Sequence, residues 1–195
     1  MKTALLYVHL LSLAVAIGSM LIAEHLISQR LMFSRQRKFT SDSYEIVLFT
    51  SRAVTVSLLL LWLTGIGFVV LGYLNDPVYI ENQKIWAKVS IVILVSINGM
   101  YIHRNLLPRL ADVSAGGLLI RNAWESARLR LSFSASIAGW LIATFYGAAK
   151  FLNQGYHYSE LFGLYLMVVA MMFAFSYLAS DQFINGQQPD GAVAS

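Results

Sequence analysis

Ionisable side chains stand inside, or at the ends of, two long apolar runs. The first run, LLYVHLLSLAVAIGSMLIAEHLI from Leu5 to Ile27, carries His9 near one end and Glu24-His25 near the other. The third carries Lys88 near its start and His103 at its end. Ionisable groups in a membrane-spanning helix are costly and point to function by default. Sixteen positions separate His9 from His25, about 24 Å along a helix. Fifteen separate Lys88 from His103, about 22 Å. The polar groups therefore sort into two layers. The outer layer holds His9 and Lys88, with His157, in the loop before the fifth run, able to fold over them. The inner layer holds Glu24, His25, Arg52, His103 and Arg104, and Asn98 lies between the layers.

Two imidazoles at one height on facing helices are what a bis-histidine haem requires, and methionine is a further axial ligand. His25 and His103 make one such pair. His9 makes a second site, completed by His157, by a methionine, or by Lys88 once it has lost its proton. His9, His25 and His103 are thus the candidate cofactor and metal ligands. Lys88 is read as acting through its charge beside a buried site. A hydrolytic zinc site needs three clustered ligands and an open position, and these histidines are too dispersed for one. Beside this stands a plainer reading: His25 and His103 as interfacial residues, Lys88 snorkelling to the surface, and Arg52 and Arg104 meeting lipid headgroups.

Such positions require helices long enough to hold them. The chain has 195 residues, of which 57% are hydrophobic and 12% charged, against about 25% charged in soluble domains. Five apolar runs are long enough to cross a bilayer: Leu5 to Ile27, Ala53 to Leu74, Ile85 to Leu107 closed by Pro108, Leu131 to Leu152, and Leu161 to Ala179. The fold class expected is all-α, a polytopic membrane bundle of five transmembrane helices. It forms one domain over 1–180, followed by a polar, disordered cytoplasmic tail over 181–195. Leu118 to Arg130 is expected to form a short interfacial amphipathic helix. Ala14-Val15-Ala16 imitates a signal-peptidase site, but the apolar run continues past it to Ala23, so a retained helix is expected.

Loop charge sets orientation. The first loop holds Arg30, Arg35, Arg37 and Lys38, and the third is also Arg-rich, whereas the second and fourth hold few basic residues. The expectation is a bacterial inner membrane protein with its N-terminus outside and its C-terminus in the cytoplasm. The net charge of +4 then belongs to cytoplasmic loops, and nucleic acid is not an expected partner. The absence of cysteine removes disulfides, iron–sulfur clusters, thiolate zinc and covalently attached haem. No P-loop, nucleophile elbow or dinucleotide fingerprint is present. Ala135, Gly139, Ala143 and Gly147 recur every fourth residue, and Ala14 and Gly18 repeat the spacing. Such faces admit a neighbouring helix, from this bundle or from a homo- or hetero-oligomer, or else a flat cofactor.

The first run, with its early His9 and the later Gly18, resembles the first helix of the HemJ type of protoporphyrinogen oxidase and of the CopD type of copper-resistance protein. The third, WAKVSIVILVSINGMYIHRNLLPRL, resembles the helix of those families that opens with an aromatic residue and a lysine, here Trp86 and Lys88. The resemblance extends over about half the chain, and five spans are read here where HemJ-type proteins have four. It implies haem b at His9 and a role in activity for Lys88, which makes Lys88 the candidate catalytic residue.

The function expected is that of a membrane b-type haem protein, cytochrome b-like, which transfers electrons to a membrane redox partner or oxidises a small, apolar, membrane-soluble substrate. This is an oxidoreductase reading, with the redox chemistry supplied by the haem. The alternatives are a non-enzymatic membrane subunit or assembly factor of a larger complex, and a copper-handling protein. The copper reading would need clustered Met and His, whereas Met167, Met171 and Met172 read as packing within the fifth run.

Overall fold

A computed structural model of the chain describes residues 2–27, 40–114, 123–153 and 155–185. Among the described residues six α-helices run in order: α1 (Lys2–Ile27), α2 (Ser41–Asn75), α3 (Gln83–Tyr101), α4 (Leu107–Ser114), α5 (Ala123–Ala148) and α6 (Tyr158–Asn185). No strand occurs among the described residues. Five helical segments are long and apolar enough to cross a membrane, with α3 and α4 sharing one span over Gln83–Asp112. The protein is an all-α bundle of membrane-spanning length. Its outside is itself apolar, with Phe49, Leu59, Leu63, Leu166 and Phe175 all exposed, so its natural solvent is the lipid bilayer.

Several helix ends differ from those the apolar runs predict. α2 starts twelve residues before Ala53 because Thr40 caps it, accepting a hydrogen bond from Ser43 N–H, with Asp42 in the first turn. Oxygen caps and early acidic residues favour a helix start. Pro108 does not end the third span. Before it the helix widens into a π turn over Ile102–Leu106, in which Leu107 N–H reaches back to Ile102 O. A proline donates no hydrogen bond and crowds the carbonyl four residues earlier. The wider turn takes up that crowding, and it carries His103 and Arg104. Residues 123–130 belong to the spanning helix α5, not to a separate interfacial helix, while 115–122 lie outside the described residues. α6 continues through 181–185, where the tail was expected to begin, since no Gly or Pro stands between Gly163 and Gly186. The basic residues Arg30, Arg35, Arg37 and Lys38 also lie outside the described residues.

α1 packs along α2, whereas α3 packs on α5 and α6. α5 is the most enclosed span, 44% buried where the others are 11–17%. Its small-residue face explains this. Gly139 lies under Val95 of α3, so closely that a methyl group there would collide with the valine. The face is therefore filled by helix packing and not by a flat ligand. Asn98 and Ser132 lock the same contact: Asn98 Nδ2 donates to Ser132 O at 2.9 Å, and Ser132 Oγ donates to Asn98 Oδ1 at 2.8 Å. Tyr146 OH donates to Leu161 O of α6 at 2.6 Å, and Tyr158 OH meets Ser90 Oγ of α3 at 3.0 Å. Across the two groups, Trp62 Nε1 donates to Ser96 Oγ at 3.1 Å. Interhelical hydrogen bonds and close backbones hold helices together where lipid removes the hydrophobic drive.

The two small-residue faces differ in what covers them. Nothing lies within 4 Å of a methyl group added at Gly18. Gly139→Ala is expected to destabilise the bundle by about 1–3 kcal/mol through overpacking, because a helical valine is held near one rotamer. Gly18→Ala is expected to change stability by less than about 0.5 kcal/mol. Unfolding in mixed micelles measures both; equal effects would remove Gly139 from the α3–α5 contact.

Candidate functional site

The outer layer is built around His9. It lies half-buried on α1 against α2, where its Nδ1 is 2.7 Å from Thr64 Oγ1. The Thr64 hydroxyl already donates to Leu60 O at 2.7 Å. A threonine hydroxyl has one proton, so it accepts from His9, and the network assigns the His9 proton to Nδ1. Nε2 then keeps its lone pair. Phe68, one turn beyond Thr64, stands edge-on to the imidazole with ring centroids 5.4 Å apart. A histidine whose other nitrogen donates to a fixed oxygen is the usual arrangement of a metal-ligating imidazole.

Lys88 belongs to the same layer. Its ammonium is close enough to His9 to act on it electrostatically, and it lies beside Gly147 of α5, 4.0 Å from where a Cβ would stand. No side chain or carbonyl among the described residues hydrogen-bonds the Lys88 ammonium. Lys84, one turn earlier and buried, is held differently: its Nζ donates to Ala149 O and Asn153 Oδ1, both at 2.7 Å. It thereby caps the C-terminal end of α5, where a cation is favoured. The sequence reading missed Lys84, although its four-residue spacing from Lys88 puts both on one helical face. His157 does not fold over this layer. Its side chain is exposed, and its backbone begins α6, with N–H donating to Glu160 Oε2 at 2.8 Å as in a capping box.

The inner layer is assembled otherwise than the predicted His25–His103 pair. His25 lies on an exposed side of α1. Its neighbour Glu24 faces inward instead, and together with His103 it lines a cavity of about 160 Å³ between the α1–α2 pair and α3, α4 and α5. His103 Nε2 meets Thr55 Oγ1 at 2.9 Å and Ser51 Oγ at 3.1 Å. Thr55 spends its proton on Ser51 O at 3.0 Å, so Nε2 of His103 is the donor. These hydroxyls sit one turn apart on α2, and that spacing was the available signal for them. Arg52 and Arg104 are exposed, as the headgroup reading expects. The bundle thus brings His9 and Lys88 to one layer and Glu24 and His103 to another, and it leaves His25 and His157 outside both.

Among the described residues no three of His, Cys, Asp and Glu gather as a metal site. Met172 packs against the core as expected, but Met167 and Met171 are exposed on α6 and are not the packing residues expected. A bis-histidine haem does not fit the inner cavity: one histidine reaches it, with Nε2 engaged by hydroxyls, and the volume lies below the roughly 300–1,000 Å³ of ordinary ligand pockets. The donor chemistry of His9 does fit one axial ligand. No protein-family model, curated protein or solved structure matches the chain.

The tautomer of His9 depends on a single hydroxyl. In nitrogen-15-labelled protein, His9 is expected to carry its proton on Nδ1. Thr64→Val keeps the shape of the side chain, removes the acceptor, and should move the population toward Nε2–H. An unchanged histidine spectrum would show that Thr64 does not set the tautomer.

Proposed function

We propose that the chain is a multi-pass b-type haem protein of a bacterial inner membrane that transfers electrons to a membrane partner or oxidises a small membrane-soluble substrate. The observation that carries this reading is the His9–Thr64 contact, which leaves the Nε2 lone pair of a membrane-embedded imidazole free to ligate iron. His9 would hold the haem as an axial ligand. Lys88 would supply positive charge beside it, suited to a haem propionate. When bound, haem supplies one-electron chemistry; the chain's own part is to orient the imidazole, keep water away and place the ammonium. His25 and His103 enter this reading only as alternative ligands.

A second reading, a non-enzymatic subunit of a larger complex or of a homo-oligomer, is favoured by the outward-facing Ala14 and Gly18 on α1. The small-residue spacing there suits a helix from another chain.

Visible spectra of the purified protein, oxidised and then reduced, separate the two. The haem reading expects a Soret band with resolved α and β bands on reduction. It expects His9→Ala to lose the pigment and His25→Ala to keep it. It also expects Lys88→Met to keep the pigment and lose most activity, with Lys88→Arg retaining more. A colourless preparation from haem-replete cells would leave the subunit reading standing.

The proposed orientation, N-terminus outside and C-terminus in the cytoplasm, rests on the Arg-rich first and third loops. Reporter fusions at Asn153 and Ser195 are expected to report opposite sides, outside and cytoplasmic respectively. Reports from the same side would contradict five spans, and the reverse pair would invert the orientation.

A further inference from the structure

The inner cavity is too small for a porphyrin, yet it is well formed. Its volume of about 160 Å³ is close to the roughly 150 Å³ apolar cavity that accommodates one benzene ring. Most of its wall is apolar, with Met20, Leu58, Val95, Phe133 and Trp140 among the lining residues. Methionine sulfur and aromatic faces both favour contact with a ring. The remaining wall is polar: Glu24 of α1, Ser51 and Thr55 of α2, Ser96 of α3, His103 of the π turn and Ser136 of α5. Among the residues lining it, Thr55, Met100 and His103 are exposed, so the mouth opens between α2 and the third span. Val56, Leu59 and Ile97 are exposed nearby on those same helices. A molecule entering there would come from the lipid and not from water.

We propose that this cavity binds the head of a single-ring quinone or quinol, with its apolar tail leaving through the mouth into the bilayer. Ser51 Oγ accepts from His103 Nε2–H, so its own proton can be donated to a quinone oxygen, and a quinol hydroxyl can donate to the Glu24 carboxyl. A fatty acid would bring a carboxylate toward Glu24 and an aliphatic chain to a wall rich in rings. The site is separate from the haem reading: Glu24 is fifteen residues from His9, about 22 Å along α1. It would supply the membrane redox partner that reading calls for, and its occupancy is measurable with or without pigment.

The test uses the full chain in quinone-free lipid nanodiscs, with a decyl-tailed benzoquinone as the probe. Its binding is read from the rise in thermal unfolding midpoint with probe concentration. Saturable binding is expected. Ser51→Ala should weaken it by about tenfold, and Glu24→Leu should weaken binding of the reduced decyl-tailed quinol by a similar factor, each the scale of one lost hydrogen bond. Ser51→Phe should abolish it by filling the cavity. Any variant that does not fold is replaced by Leu58→Trp, which fills the same space from an apolar wall. A decylbenzene control without ring oxygens should bind at least about tenfold more weakly. Equal binding by wild type and cavity-filled protein would overturn the site, as partition into lipid alone would then explain the signal. Equal binding of decylbenzene and the benzoquinone would overturn the quinone assignment. Quinone binding retained in colourless protein would leave this site standing while the haem reading fell; a pigmented protein with no saturable quinone binding would do the reverse.

Discussion

Backbone amides inside a bilayer have no water to turn to, so each must be satisfied within its own helix. That constraint shapes the molecule down to its irregularities. Where Pro108 removes a donor, the helix does not break open to lipid; it widens into a π turn and closes again as α4. The same turn aims His103 at the α2 hydroxyls. π turns inside α-helices often coincide with functional sites, and here the adjustment that preserves backbone bonding also places a titratable side chain at the wall of a cavity.

With the backbone settled, side chains decide how the helices meet. Gly139 lets Val95 approach α5, and the reciprocal Asn98–Ser132 pair fastens that approach. α5 thereby becomes the axis of one group, while α1 and α2 form the other. Trp62–Ser96 and the Ser136–Met20 contact bridge the two. Toward the inner end His103 joins α2 through Thr55 and Ser51, and Ile27, Val47, Leu106, Leu110 and Leu129 form a second apolar cluster; the cavity sits between these bridges.

The two polar layers are held by one device. A hydroxyl on α2 spends its own proton on a backbone carbonyl of its helix and then accepts from a histidine, Thr64 for His9 and Thr55 for His103. The device works in opposite senses at the two ends. It pins Nδ1–H of His9 and leaves Nε2 open, whereas it engages Nε2 of His103. Two histidines of the same chain thus differ in the nitrogen left unengaged, Nε2 in His9 and Nδ1 in His103.

The sequence alone determined the five spans, because apolar length is the only requirement a bilayer imposes on a helix. It also determined which end of each helix carries His9, Lys88 and His103, since rise per residue converts sequence separation into depth. It could not settle azimuth. Glu24 and His25 are adjacent in sequence and equal in depth, yet one residue turns a helix by about 100°. Only the packing of α1 on α2 decided that Glu24 faces the cavity and His25 does not. Lys84 and Lys88 share a face, but only the end of α5 distinguishes them, by offering carbonyls to the first and a glycine to the second. The tautomers of His9 and His103 depend on hydroxyl groups 55 and 48 residues away in the chain. Contacts at that separation exist only once the helices have packed.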